Sequence, residues 1–221
     1  RARNDLERAR YEVEEAVLVD IDGEVVRVAK QYFPDLAGAL DHPKARVIIG
    51  DGLAWVREAQ ARGERYDVIL VDSTDPVDGA VELFTPGFYR SCAAVLGVGG
   101  ILVPQSDSPA FYQTRCVKIA DTLADIFGHT APYLGHCLTY PAGLWAFVAA
   151  SQTIDARSRL READVAARLG QFAADLRYLN AELIDAVFAL PTWLRRALDH
   201  APPAALPSIG DDPGAPPGEA A

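Results

Sequence analysis

Residues 66–76 read YDVILVDSTDP, an apolar run from Tyr66 to Val71 that is followed at once by Asp72, two hydroxyl residues, Asp75 and Pro76. Such a run is typical of a strand that is buried on both faces, and the polar turn marks where the strand ends. Ligands bind beyond the carboxyl ends of the strands in parallel α/β sheets. The turn at Asp72 is therefore the first place to look for a functional site.

Similar apolar runs on both sides of this stretch predict further strands, at 16–21 (AVLVDI), 46–49 (RVII) and 101–104 (ILVP). Amphipathic stretches near 23–32, 52–62, 85–96, 111–127 and 164–190 predict helices. A last strand at 144–150 is expected to be the far arm of a hairpin that begins near Tyr133. Strands that alternate with helices in this way predict an α/β fold with a parallel sheet.

Glycines and prolines mark the boundaries of this arrangement. Gly97, Gly99 and Gly100 follow a predicted helix and precede a strand, so we expect them to cap the helix and turn the chain. The segment 201–221 carries six prolines, three glycines and no aromatic residue, a composition that cannot bury enough surface to offset its ordering entropy. We expect residues 1–200 to form one catalytic domain and 201–221 a disordered tail.

Composition and charge exclude several classes of protein. A formal net charge of −10 argues against binding to nucleic acid or to anionic lipid and favours a cationic partner. The longest stretch without charged residues, 130–154, is interrupted by prolines and glycines, so no membrane-spanning segment is predicted. Three widely spaced cysteines support neither a disulfide framework nor a zinc site, which predicts a cytoplasmic protein.

Acidic residues follow each predicted strand and suggest a ligand. Asp20 ends the first strand, where a carboxylate can accept hydrogen bonds from both hydroxyls of a ribose. Asp51 lies between Gly50 and Gly52, which allow close approach of a flat base. The remaining acids are Asp22 after the first strand, Asp72 and Asp75 after the third, and Asp107 after the fourth.

Like charges at one rim of a sheet repel one another, and a cationic ligand relieves that repulsion. Each acid taken alone is better explained as a helix cap or a turn residue than as a ligand-binding residue. Taken together, Asp72 and Asp75 are placed to hold an amine, and Asp72 to accept its proton as the amine becomes a nucleophile. A turn at Pro141 would present Tyr140 toward the same rim, although a tyrosine packed at a hairpin corner explains that residue equally well.

Five segments resemble the catalytic domain of the spermidine synthases, the polyamine aminopropyltransferases: GDG (50–52), YDVILVDSTDP (66–76), LFTPGFY (83–89), TYPAGLW (139–145) and RYLNAELIDAVFALPTWLRRAL (177–198). The resemblance runs from about Val13 to about Leu198. It implies a Rossmann-like doubly wound sheet of the class I adenosylmethionine-dependent methyltransferase type.

The resemblance also implies a reaction, the transfer of an aminopropyl group from decarboxylated S-adenosylmethionine to putrescine, giving spermidine and methylthioadenosine. It implies no metal and no cofactor beyond that cosubstrate, and a homodimer or homotetramer. Asp72 would deprotonate the attacking amine. The substrate-binding residues would be Asp20 for the ribose, Asp51 and Gly52 for the adenine, Asp75 and Gln105 for the diamine, and Tyr140 near the reacting nitrogen.

The chain departs from this family in two places. The family usually has Gly-Pro after the DPV of the loop, whereas this chain continues with Asp78 and Gly79, which leaves the preferred length of the amine open. The first strand and the glycine-rich GGGDGG-like loop have no counterpart here, and that strand would lie between those ending at Asp20 and Asp72. We therefore expect a carboxyl-terminal part of a longer enzyme that is unstable or inactive in isolation.

Two alternatives remain open at this stage. One is another enzyme on the same fold, either an aminopropyltransferase for a longer amine or a methyltransferase-like enzyme. The other is a non-catalytic truncated homologue that serves in dimerisation or polyamine sensing. Retention of Asp72, Asp75, Gln105 and Tyr140 favours an enzyme, because a scaffold has no need of them.

Overall fold

The computed structural model describes residues 13–74, 78–140, 143–162, 165–170 and 176–200. The strands are β1 (Ala16–Asp20), β2 (Ala45–Ile49), β3 (Tyr66–Val71), β4 (Leu96–Pro104), β5 (His129–His136) and β6 (Leu144–Ser151). The α-helices are α1 (Gly23–Tyr32), α2 (Pro34–Ala37), α3 (Gly52–Arg62), α4 (Pro86–Val95), α5 (Gln113–Ala124), α6 (Ala156–Glu162), α7 (Val165–Gly170), α8 (Ala181–Ala186) and α9 (Thr192–Leu198). Among the described residues, two 3₁₀ helices span Gly38–Asp41 and Asp78–Phe84.

The described chain divides into two compact units. The β1–β2 unit contains the described residues up to Arg65 and those between Ala163 and Leu183, and its two strands pair in parallel. The β3–β6 unit contains the described residues between Tyr66 and Glu162 and those from Ile184 onward. Its sheet has the strand order β3-β4-β6-β5.

Pairing within the β3–β6 sheet is mixed. β3 and β4 are parallel, whereas β6 runs antiparallel to both β4 and β5. The predicted late hairpin is therefore confirmed, and it begins at His129 rather than near Tyr133. In the described residues β1 pairs only with β2, and β3 pairs only with β4. β1 and β3 therefore do not pair with each other.

Local capping explains why the first helices begin where the sequence predicts. Asp22 accepts a hydrogen bond from the Glu24 amide at the start of α1, and Asp51 does the same for Leu53 at the start of α3. Helix α3 ends at Arg62 and is capped by Gly63, which adopts the left-handed conformation with φ of 72°. The predicted bounds 23–32 and 52–62 are those observed.

Three glycines lie inside a strand, which corrects the expectation of a helix cap. β4 begins at Leu96, opposite Tyr66, but the next paired position is Ile101 opposite Val68. Gly97, Gly99 and Gly100 therefore form a bulge in the strand. Gly99 has φ of +80°, and a Cβ on Gly100 would lie 2.9 Å from the Gly97 carbonyl oxygen, so both positions favour glycine.

The segment 164–190 is not one helical stretch, which corrects a second prediction. Helix α7 ends at Gly170, and residues 171–175 lie outside the described part. Helix α8 starts afresh at Ala181 because the Asn180 side chain accepts a hydrogen bond from the Leu183 amide at 2.7 Å. An asparagine cap of this kind begins a helix rather than continuing one.

The strands are not all buried on both faces, which corrects a third prediction. Val68 and Leu70 on one face of β3 are 56% and 71% exposed. Burial depends on neighbouring elements, and β3 lies beside β4 alone in the described sheet. The hairpin is better covered: Leu134 and Ala146 pack with α5 and α9 residues, whereas Ala131 and Ala149 pack around Phe188.

No helix among the described residues is long and apolar enough to cross a membrane. The expected disordered tail, 201–221, lies outside the described residues.

Candidate active site

A cleft of about 1090 Å³ opens in the β3–β6 unit. Its walls come from the end of β3, the segment after β4 and the β5–β6 hairpin. Four residues singled out from the sequence line it, namely Asp72, Gln105, Asp107 and Tyr140. The aromatic residues in its lining are Phe111, Tyr112, Tyr133, Tyr140, Trp145 and Phe147. The cleft thus combines a carboxylate with aromatic surfaces, a combination that suits an organic cation.

Asp72 follows directly after β3 and is exposed at the edge of the cleft. Ser73 and Thr74 continue the lining. The hydroxyl groups of Ser73 and Ser108 are buried and have no hydrogen-bond partner in the described structure. Asp75, predicted to hold the amine together with Asp72, lies outside the described residues.

The Gln105 carboxamide is buried and bonded to the protein on both sides. Its Oε1 atom accepts hydrogen bonds from the Asp107 amide at 2.8 Å and from the Trp145 indole N–H at 3.0 Å. Its Nε2 atom donates to the Ser73 carbonyl at 3.2 Å. Gln105 therefore connects the ends of β3, β4 and β6.

Tyr140 lies on the turn between β5 and β6, as the sequence suggests. The turn is closed by hydrogen bonds from the Tyr140 amide to the Cys137 carbonyl and from the Gly143 amide to the Tyr140 carbonyl. The Tyr140 ring stacks on Trp145 with 4.4 Å between ring centroids. Pro141, on which the turn prediction rested, lies outside the described residues.

Asp107 and Arg115 form an ion pair in the cleft wall that sequence reasoning missed. The Asp107 carboxylate is 3% exposed and is paired with the Arg115 guanidinium, which also lies over the Tyr112 ring. Asp107 was recognised as an acid at a strand end, but no spacing rule connects it to an arginine in the next helix. Trp145 was detectable, since it ends the TYPAGLW segment two residues after Gly143.

The predicted nucleoside residues lie in the other unit, at the ends of β1 and β2. The Gly50 amide donates to the Asp20 carbonyl at 2.8 Å, which brings the two strand ends together. One carboxylate oxygen of Asp20 accepts from the Asp22 amide and one of Asp51 from the Leu53 amide. A Cβ on Gly52 would meet nothing within 4 Å, so there is open space at this position. The predicted acids are thus divided between two sheets rather than lying on the rim of one.

Burial disfavours ionisation of two groups near the cleft, the Cys116 thiol and the Tyr133 phenol. Desolvation raises the pKa of the Cys116 thiol to about 12 and raises the pKa of Tyr133 above its ordinary value. Both groups stay protonated near neutral pH. In the described part of the chain, no cluster of three or more His, Cys, Asp or Glu residues could hold a metal ion. Asp72 is the exposed carboxylate in the cleft lining, and a carboxylate can take up a proton there.

Fold and cleft together define an α/β protein of the Rossmann-like type with a carboxylate after a parallel strand. The sequence model of the spermine/spermidine synthase domain matches residues 6–159. This chain belongs to the spermine/spermidine synthase domain family.

Individual relatives agree with this assignment. The polyamine aminopropyltransferase of Caldicellulosiruptor saccharolyticus is 38% identical over 192 residues, which cover 85% of this chain and 64% of the relative. Polyamine aminopropyltransferase 1 of Bacillus cereus is 39% identical over 182 residues, covering 82% and 62%. The chain therefore spans less than two thirds of the length of these relatives.

Solved structures show the same fold. A spermidine synthase in complex with the transition state analogue AdoDATO superposes with a TM-score of 0.77 at 31% identity, covering 85% of this chain and 62% of the other. The spermidine synthase of Thermotoga maritima gives a TM-score of 0.75 at 31% identity, with coverages of 85% and 61%. The prediction of a Rossmann-like α/β fold is confirmed.

Proposed function

We propose that this chain carries the catalytic residues for transfer of an aminopropyl group from decarboxylated S-adenosylmethionine to putrescine, yielding spermidine and methylthioadenosine. The observation that carries the proposal is the position of Asp72, an exposed carboxylate in an aromatic cleft that also contains Tyr140. Family membership supports it, as does a related spermidine synthase that was crystallised with the transition state analogue AdoDATO.

The proposed chemistry is a displacement at carbon. A neutral amine nitrogen attacks the aminopropyl methylene carbon that is bonded to the sulfonium sulfur, the new C–N bond forms, and the bond between that carbon and sulfur breaks with its electron pair going to sulfur. Asp72 takes the proton that the amine loses. Because the sulfonium leaves as a neutral thioether, the protein has mainly to align the reactants and exclude water.

The remaining roles are those that the family resemblance implies, and they stay predictions. Asp20 would bind the ribose hydroxyls, and Asp51 with Gly52 would bind the adenine. Asp75 would hold the distal ammonium, and Tyr140 would lie near the reacting nitrogen, where its ring face also favours a cation. Gln105 would contribute to the amine site. We propose no metal and no cofactor besides the sulfonium cosubstrate, a homodimer or homotetramer, and a cytoplasmic location.

Binding can be tested before turnover. Calorimetric titration with methylthioadenosine and with decarboxylated S-adenosylmethionine should give saturable binding that Asp51→Ala weakens strongly. No binding by a folded protein would contradict the assignment of the nucleoside site in this chain.

Turnover tests the role of Asp72. Asp72→Asn should lower kcat for putrescine by about 10²–10⁴-fold, because it removes the proton acceptor. Asp67→Asn is the matched control, since it changes an exposed carboxylate on β3, the strand that Asp72 follows, and should leave kcat unchanged. A faster reaction with spermidine than with putrescine would favour the longer-amine alternative. Binding without any transfer would favour either a non-catalytic homologue or the expectation that this part of a longer enzyme is inactive in isolation.

A further inference from the structure

The orientation of the Gln105 side chain is determined by the groups around it. Both neighbours of its Oε1 atom, the Asp107 amide and the Trp145 indole N–H, can only donate, and the neighbour of its Nε2 atom is a carbonyl oxygen. The carboxamide therefore has one possible orientation. Because both lone pairs of Oε1 are used, Gln105 has no acceptor left for a substrate ammonium. Gln105 can therefore contribute to the amine site only by positioning other residues or through the second N–H of its Nε2 atom.

Asp107 supplies one of the two donors that hold this oxygen, and it does so from an unusual backbone conformation. Its φ is +71°, in the left-handed region that non-glycine residues rarely adopt, although aspartate does so more often than most, and the residue is 2% exposed. Such a conformation persists only where surrounding contacts over-determine it, and outliers of this kind concentrate at functional sites.

The contacts that hold Asp107 come from three directions. Its carbonyl accepts a hydrogen bond from the Ala146 amide at 2.9 Å, and its Oδ1 atom accepts one from the Ser108 amide at 2.6 Å. Its Oδ2 atom is paired with Arg115. Because Arg115 already neutralises this carboxylate, Asp107 is not an additional anchor for a cationic substrate.

A continuous series of contacts leads from Asp107 to the exposed wall of the cleft. The Asp107 amide donates a hydrogen bond to the Gln105 Oε1 atom, and the Trp145 indole N–H donates to the same atom. The Trp145 ring in turn stacks on Tyr140. Through its Nε2 atom Gln105 also holds the Ser73 carbonyl, next to Asp72. The two sides of the cleft that carry Asp72 and Tyr140 are thus connected through one carboxamide.

We propose that Asp107 is a positioning residue of the amine site: its left-handed backbone directs its N–H at Gln105, and Gln105 in turn fixes Trp145 and Tyr140 opposite Asp72. The functional part of the inference rests on the proposed amine-binding function. The structural part, that Asp107 determines the orientation of the Trp145 ring, does not depend on that function.

Two substitutions separate the backbone of Asp107 from its carboxylate. Asp107→Gly and Asp107→Ala both remove the carboxylate, but glycine adopts a positive φ freely whereas alanine does so only at a cost. Putrescine affinity would be measured by calorimetry at a temperature where both variants are fully folded. Near-UV circular dichroism reports the orientation of the Trp145 ring without any ligand. The Trp145 contribution is obtained as the difference from the spectrum of a Trp145→Phe protein.

We expect Asp107→Ala to weaken putrescine binding by about tenfold and to reduce the Trp145 difference spectrum. Asp107→Gly should recover most of both losses, and methylthioadenosine affinity should not change in either variant. The inference would be overturned if the glycine and alanine variants behaved alike, either both losing or both keeping putrescine affinity and the Trp145 difference spectrum.

Two further outcomes, a variant that does not fold and a wild-type protein that binds no putrescine, still allow a decision. If Asp107→Ala does not fold, Gln105→Met removes the connecting carboxamide instead, and an unchanged Trp145 spectrum in that variant would overturn the inference. If the wild-type protein binds no putrescine, the proposed function fails, while the spectra of the glycine and alanine variants still decide whether Asp107 positions Trp145.

Discussion

Asp51 illustrates how one side chain can have a structural and a binding role at once. Its Oδ1 atom accepts a hydrogen bond from the Leu53 amide at 2.8 Å and so caps α3, which is the ordinary role of an aspartate at a helix start. The proposed role in adenine binding uses the same carboxylate. A single alanine substitution would remove both roles, so the two must be separated by a variant that keeps the cap.

Asparagine at position 51 provides that separation. Asp51→Ala should lower the free energy of unfolding by about 0.5–2 kcal/mol, whereas Asp51→Asn should retain most of the cap. Both should weaken methylthioadenosine binding by about tenfold or more, because a charge-assisted acceptor for the adenine amino group is lost. Urea unfolding and calorimetry measure the two effects. Full nucleoside affinity in the asparagine variant would show that the alanine effect acts through the helix cap.

At the scale of elements, the β5–β6 hairpin is held in place by helices that are distant in sequence. Leu194 of α9 is 2% exposed and belongs to a cluster with Cys116 of α5, Leu134 of β5 and Ala146 of β6. The hairpin carries Tyr140 on its turn and Trp145 on β6. The packing of α9 therefore supports the strands from which part of the cleft wall is built.

Removing the Leu194 side chain should test this support. Leu194→Ala should lower the free energy of unfolding by about 2–5 kcal/mol, because it leaves a cavity in a buried cluster. Arg195→Ala on the exposed side of the same helix is the control and should change stability by less than about 0.5 kcal/mol. Equal effects of the two substitutions in urea unfolding would mean that α9 does not stabilise this unit through Leu194.

At the scale of the whole molecule, the net charge of −10 acts on every cation that approaches. Putrescine is a dication at neutral pH, whereas methylthioadenosine is uncharged. Electrostatic attraction to the protein should therefore contribute to binding of the amine and not to binding of the nucleoside.

Salt dependence distinguishes these contributions. Raising NaCl from about 0.05 M to about 0.5 M should weaken putrescine binding several-fold, because ions screen charges on exposed groups. The affinity for methylthioadenosine should stay within about twofold over the same range. Calorimetric titrations at each salt concentration give both values. Putrescine affinity that does not change with salt would contradict an electrostatic contribution from the carboxylates.

Local features of the chain were readable from the sequence because they depend on near neighbours. The bounds of α1, α3 and β3 follow from apolar periodicity and from the caps Asp22, Asp51 and Gly63, which act within one helical turn. The position of Asp72 after a strand, and of Tyr140 on a hairpin turn, follow from the same short-range patterns.

Contacts between distant segments were decided only in the tertiary structure. The exposure of Val68 and Leu70 depends on which elements lie beside β3, and an apolar run reports only what a strand is able to bury. The pairing of Asp107 with Arg115, and the saturation of Gln105 by donors from β6 and its own loop, bring together residues that no sequence period relates. Hydrophobic pattern and capping chemistry thus determined the elements and the candidate residues. Long-range packing and hydrogen bonding determined which of those residues line one cleft, because these interactions form only when separate strands and helices are in place.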